Sequence, residues 1–223
     1  MSIKTMLDRI KEKIIFNDRL ASWAGAAFFL FWIGQRWYFS YRPTVLWWLV
    51  TFQFSLFVLA YLTRHRAISH GQGFWETVYP FLCSAMPFTL DDYPFKPLGL
   101  PLIAKEVYLS LMLAGTVLII AGVFTLRRSF AIMTEARPPV LSGIYRLTRH
   151  PMYLGSMISA LGLLLYNYHF LNFTLFSLFC AMQVYRARRE ERKMSEISPQ
   201  YRDYLLRVGW LGPWDRTAKN KGK

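Results

Sequence analysis

The chain has 223 residues, of which 54% are hydrophobic and 18% charged, and a formal net charge of +14. So little charge, set between long apolar runs, points to a multispanning membrane protein of one domain or at most two. The basic residues lie between and after those runs, so topology and anionic lipid headgroups account for them better than nucleic acid does.

Residues 1–19 place Ile3, Leu7, Ile10 and Ile14 at helical spacing among Lys4, Arg9, Lys11 and Lys13. This predicts an amphipathic helix lying on the membrane surface. It is too long for the charged start of a signal peptide, and no cleavage site follows it. Apolar runs then come at about 20–38, 44–62, 73–90 and 106–126, and after a polar loop at about 152–166 and 169–185. The first, second and fourth suit the roughly 20 helical residues a bilayer core needs. Glu76 and Pro80 interrupt the third. The fifth would rise only about 22 Å, so a full crossing is open. The turn Asn167-Tyr168-His169 folds the last two runs into one antiparallel helical hairpin. The predicted architecture is therefore all-α, an integral membrane protein with five to six transmembrane helices.

With the N-terminus inside, the inner segments hold 23 Lys and Arg, and the outer ones 4. Both termini are thus predicted to be cytoplasmic, at a plasma or inner membrane or at the endoplasmic reticulum. No internal repeat suggests a transporter of two similar halves. Cys83 and Cys180 lie inside apolar runs without a second Cys or His at a ligand spacing. They read as small buried residues, and neither a disulfide framework nor a metal site is expected.

Chemistry concentrates in Gly143-Ile144-Tyr145-Arg146-Leu147-Thr148-Arg149-His150-Pro151-Met152-Tyr153-Leu154-Gly155, where a basic loop meets an apolar run. Pro151 suits the first turn of a helix and pushes His150 towards an extended conformation. A helix starting there, with His150 as its cap, turns free N–H groups to the cytosolic interface, where they attract a carboxylate or phosphate. Arg149 and His150 add donors beside it, and Gly155 leaves room for a ligand against the backbone. The same residues also suit plain structure: Arg flanks many membrane helices, Pro starts them, and Gly155 with Ser159 forms a small-xxx-small packing pair.

A second cluster, Arg186-Ala187-Arg188-Arg189-Glu190-Glu191-Arg192-Lys193, follows the last run. Arg186 and Glu190 stand at an i, i+4 spacing, as on any solvated helix face. The hairpin, however, would return this cluster to the membrane face that carries Arg149 and His150. Such a mouth suits a zwitterionic amino-acid cofactor, with its carboxylate on the basic side and its ammonium or ribose hydroxyls on the acidic side. Tyr201 and Tyr204 share a helical face before Val208, as a lid over an adenine ring or as interfacial anchors.

The pattern Gly-Ile-Tyr-Arg-x-x-Arg-His-Pro-Met-Tyr-Leu-Gly, an apolar hairpin, Glu-Glu and then Tyr-x-x-Tyr-x-x-x-Val resembles the isoprenylcysteine carboxyl methyltransferase family, itself related to the phospholipid N-methyltransferases. The resemblance covers roughly residues 115–213. It implies S-adenosylmethionine as methyl donor, bound near the cytosolic face. Arg149, His150, Tyr153, Gly155, Glu190 and Glu191 would then line the cofactor pocket, Tyr201 and Tyr204 would match the family's downstream tyrosines, and Arg186 and Arg189 would orient an anionic substrate. The family usually carries a Gly shortly before those tyrosines, where this chain has Ile197-Ser198-Pro199-Gln200.

The expected organisation is an interfacial helix at 1–19, transmembrane helices over 20–126 and a methyltransferase-like region over 127–223. The expected partners are membrane lipids and a lipophilic substrate (a prenylated cysteine carboxylate, a phospholipid amine or a smaller acid or thiol), with no nucleic acid and no metal. The oligomeric state is open. Two other classes compete: a nicotinamide-dependent sterol or lipid reductase, in which Tyr153 would be the proton donor, and a non-catalytic membrane protein of the same fold. Transport would need an ionisable pathway, for which Glu76 is the one candidate.

Overall fold

A computed structural model of the chain describes residues 18–39, 45–63, 79, 82–84, 86, 105–126, 139–166 and 168–210. Residues 1–17 of the expected surface helix, nearly all of the 73–90 run with Glu76, and the basic tail beyond 210 lie outside these residues; Asp18 and Arg19 belong to the helix that follows. Among the described residues every regular element is helical, as the apolar periodicity predicts.

Helices α1 (Asp18–Phe39) and α2 (Val45–Thr63) form an aromatic pair. Phe29 is the hub, with ring centroids 4.8 Å from Phe57 and 5.7 Å from Phe54. Such pairs add to the apolar area they bury. α2 is apolar all round, which suits a helix enclosed by protein or lipid. Its hydroxyls are satisfied internally: Thr51 donates to the Trp47 carbonyl at 2.8 Å and Ser55 to the Thr51 carbonyl at 2.9 Å.

Helix α3 (Lys105–Leu126) adds Ile119 and Val123 to that core. It also packs closely along α4 (Pro151–Tyr166). Glycines set the separation, since a Cβ built on Gly155 would stand 2.6 Å from the Gly115 carbonyl oxygen. Gly115 and Gly155 therefore hold two backbones in direct contact, as small residues do between membrane helices.

Helix α5 (Phe170–Ile197) runs 28 residues, about 42 Å. Its first turn is capped by His169, whose Nδ1 accepts from the Leu171 N–H at 3.2 Å. α5 does not stop where the apolar run stops; it continues through the charged cluster to Ile197, since Arg, Glu, Lys, Met and Ala are good helix formers. Ser198 and Pro199 then end it and start α6 (Pro199–Arg207), with the Ser198 hydroxyl accepting from the Tyr201 N–H at 3.3 Å.

By length and composition Glu106–Leu126 is, among the described residues, the one helix able to cross a membrane; Val50–Thr63 and Pro151–Tyr166 are shorter apolar stretches.

Candidate functional site

The loop before α4 is built to hold its shape. Gly143 has φ +59°, a left-handed conformation, and a Cβ there would meet Thr125 of α3 at 2.8 Å. A short 3₁₀ turn, Gly143–Arg146, follows. α4 then starts at Pro151 as the sequence predicts. The His150 side chain does not cap it but turns across to α5.

From the open end of the α4–α5 hairpin towards its tip, polar side chains meet in three rungs. In the outermost, Glu191 Oε1 accepts from Arg149 Nη1 at 3.1 Å and lies 3.0 Å from His150 Nε2. In the middle rung, Glu190 Oε1 accepts from the Tyr153 hydroxyl and from Arg186 Nε at 3.2 Å. The Arg186 guanidinium also lies over the Tyr153 ring, 4.9 Å from its centroid. In the innermost, Gln183 Nε2 donates to Ser156 Oγ at 3.1 Å. His150 stacks on Tyr153 with centroids 5.3 Å apart, tying the first two rungs together.

Arg186 is 4% exposed, Glu191 15% and Glu190 25%. Burial by itself would raise the Glu191 carboxyl, but the hydrogen bonds and charge of His150 and Arg149 outweigh it and hold it below the usual range. Only Oε1 of each glutamate is engaged within the described residues, so each carboxylate keeps an oxygen able to accept from a ligand.

Arg149 does more than flank the site. Its Nη2 donates to the Leu205 carbonyl at 2.8 Å, its Nε to that of Val208, and its backbone N–H to Gly209 at 3.2 Å. All three guanidinium nitrogens are thus engaged, and the side chain caps the last turn of α6. The Thr148 hydroxyl donates to the Trp210 carbonyl, and the Trp210 ring lies 4.9 Å from His150. Tyr201 and Tyr204 pack together with Val208, Leu141 and Met194. The Tyr204 hydroxyl donates to the Tyr145 carbonyl at 2.6 Å. Burial first, then nearby carboxylates, push the Tyr145 and Tyr201 phenols well above their usual range, so both stay protonated.

The structure therefore brings together Arg149, His150, Tyr153, Arg186, Glu190 and Glu191. Tyr201 and Tyr204 form the packed cap behind Arg149. Gly155 stands on the opposite face of α4, where the close approach it allows is to Gly115. Arg189, half-buried on α5, sits beside the ladder that Arg186 and Glu190 build. Sequence reasoning missed Gln183, Ser156, Thr148 and Trp210. A lone Gln inside an apolar run is a readable signal for the first; the others carry none.

A helical bundle whose polar groups converge where two helices emerge from its apolar part is the class of protein these features define. Residues 96–200, just under half of the chain, match the family model of the phospholipid methyltransferases. The match takes in both the His150-Pro151 segment and Glu190-Glu191, and it ends just before Tyr201 and Tyr204. No curated protein and no solved structure matches the chain.

Proposed function

We propose that the protein is an integral membrane methyltransferase that uses S-adenosylmethionine to methylate a lipophilic acceptor at the cytosolic membrane face. The supporting observation is the convergence of two adjacent carboxylates, Glu190 and Glu191, with the start of α4 and His150 at one mouth. The donor and acceptor set fits this cofactor. The unengaged carboxylate oxygens suit an ammonium or ribose hydroxyls, and the first N–H groups of α4 suit a carboxylate. S-adenosylmethionine, when bound, supplies an electrophilic methyl group on a sulfonium.

The chain's own part is to bind, align and keep water out. Glu191, fixed by Arg149 and His150, is a rigid acceptor. Glu190 is oriented by Tyr153 and Arg186, and an amine acceptor that must shed a proton would find this carboxylate at hand. The lipophilic acceptor would enter sideways between helices, with membrane lipids around it. The match of residues 96–200 to the phospholipid methyltransferase family model also supports this reading.

The test is calorimetric binding of S-adenosylmethionine and S-adenosylhomocysteine to the detergent-purified chain, beside folded Glu190→Gln, Glu191→Gln and His150→Ala variants. Saturable binding that the variants lose supports the reading. A folded wild type that binds neither, in lipid as well as detergent, defeats it.

A further inference from the structure

The end of the bundle away from the mouth carries a cluster that the methyltransferase reading leaves unused. α1 and α2 run antiparallel, since Phe29 meets Phe57 while Trp37 meets Trp47. Tyr61, near the end of α2, lies within electrostatic reach of Arg186 in the polar ladder. Trp47 stands fourteen residues earlier on the same helix, about 21 Å away along its axis.

There Trp37, Trp47 and Trp48 meet as a corner. Ring centroids are 4.9 Å apart for Trp37–Trp47 and Trp47–Trp48 and 6.0 Å for Trp37–Trp48, with every pair of planes between 85° and 87°. Trp47 is buried, whereas Trp37 and Trp48 are 59% and 53% exposed. The Arg36 guanidinium lies over the Trp47 ring, 5.9 Å from its centroid. Stacking of this kind steadies the cation and uses none of its N–H donors, which point along its plane.

Length and charge say what covers this corner. α1 carries Asp18 and Arg19 at its start and Arg36 near its end, with no charged residue between. Arg36 is eighteen residues from Asp18, about 27 Å by helical rise, close to the thickness of a bilayer's hydrocarbon core. The corner thus falls at the interface opposite the mouth, where indoles sit readily at headgroup level. Neither the last turn of α1 nor the first turn of α2 contains an acidic residue, so the local charge is positive. A steadied guanidinium beside exposed indoles complements a phosphate oxyanion above acyl chains.

We propose that Arg36 and the Trp37–Trp47–Trp48 corner bind the phosphodiester headgroup of a phospholipid in the non-cytosolic leaflet, at a lipid site separate from the methyl-transfer mouth. Arg36 takes the phosphate oxygens, and the exposed faces of Trp37 and Trp48 lie against the glycerol and the upper acyl chains. The bound lipid pins this end of the α1–α2 pair at a fixed depth. The inference rests on the protein being membrane-embedded and not on methyl transfer.

The probe is dihexanoylphosphatidylglycerol, added to the full chain in a maltoside detergent and followed by tryptophan fluorescence. Dihexanoylglycerol, which lacks the phosphate, and inorganic phosphate, which lacks the chains, are run beside it. The wild type should bind the phospholipid saturably and about tenfold or more tightly than either control. Arg36→Gln should weaken that binding about tenfold, and Arg36→Lys less, because it keeps the charge and loses only the planar fork. Should Arg36→Gln not fold, Trp48→Leu decides, since an exposed position tolerates it and phospholipid binding should still weaken severalfold. Dihexanoylglycerol binding as tightly as the phospholipid would reduce the corner to an apolar anchor and overturn the inference. Inorganic phosphate binding as tightly would make it a free-anion site and overturn it too. So would a folded Arg36→Gln variant that binds the phospholipid as the wild type does, because the lipid would then sit elsewhere.

Discussion

The two faces of α4 solve opposite problems. Towards α3 it presents Gly155 and Gly162, and the helices approach until a Cβ at Gly155 would collide with a carbonyl of its neighbour. Towards α5 it presents Tyr153 and Ser156, which meet Glu190 and Gln183 through hydrogen bonds. The first face sets glycines at its closest approaches, with Met152 and Ser159 beside them, and gains its stability from backbone contact and dispersion. The second is held apart by side chains with polar ends, and that spacing makes room for chemistry. One helix can serve both because residues 155 and 162 lie on a different face from 153 and 156 at 3.6 residues per turn.

The largest effect is expected on the packed face. Gly115→Val puts a branched side chain against the Gly155 carbonyl and should cost about 3 kcal/mol or more, the upper range for overpacking. Thermal unfolding in detergent should show a large loss of stability; a variant as stable as wild type would mean that the helices are not in backbone contact. Glu191→Gln, on the polar face, removes the carboxylate that Arg149 and His150 share. It should cost about 2 kcal/mol and lower cofactor affinity more than tenfold, a split that calorimetry and unfolding read together. Tyr153→Phe deletes the hydroxyl that Glu190 accepts and should cost about 1 kcal/mol, with a measurable loss of cofactor affinity and no loss of helicity by circular dichroism.

The smallest effect is a pH dependence. The folded Glu191 carboxyl lies below its usual range, so its ionised form is favoured by folding. That contribution is complete above the unfolded value, about pH 4.3, and is lost as pH falls through the lower folded value. Unfolding measured between pH 6 and 3 should fall less steeply for Glu191→Gln than for wild type; equal slopes would remove Glu191 from the acid response.

Much of the polar face is legible in the amino-acid sequence. Pro151 marks the helix start, and the short turn at 167–169 marks the hairpin. A hairpin of that length returns the charged cluster to the end that carries His150, but rise alone sets His150 level with about residue 186, so its meeting with Glu191 also depends on how the two helices pack. The packed face is legible only as an alternative for Gly155 and Ser159, because spacing on α4 cannot tell a ligand from a neighbouring helix. The engagement of Arg149 with α6 is not legible at all. Its acceptors are backbone carbonyls at Leu205 and Val208, and every residue type has one.

Helix positions, the sense of the hairpin and the residues brought to its mouth follow from local rules. Apolar runs set helix length, Pro and Ser set the ends, and rise per residue sets the level of each charged group. Which partner each group takes does not follow from them. Gly155 meets α3, Arg149 caps α6, and Gln183 meets Ser156 because the helices are packed at particular distances and rotations. Those choices depend on the summed fit of residues far apart in the chain, and no local spacing encodes that sum.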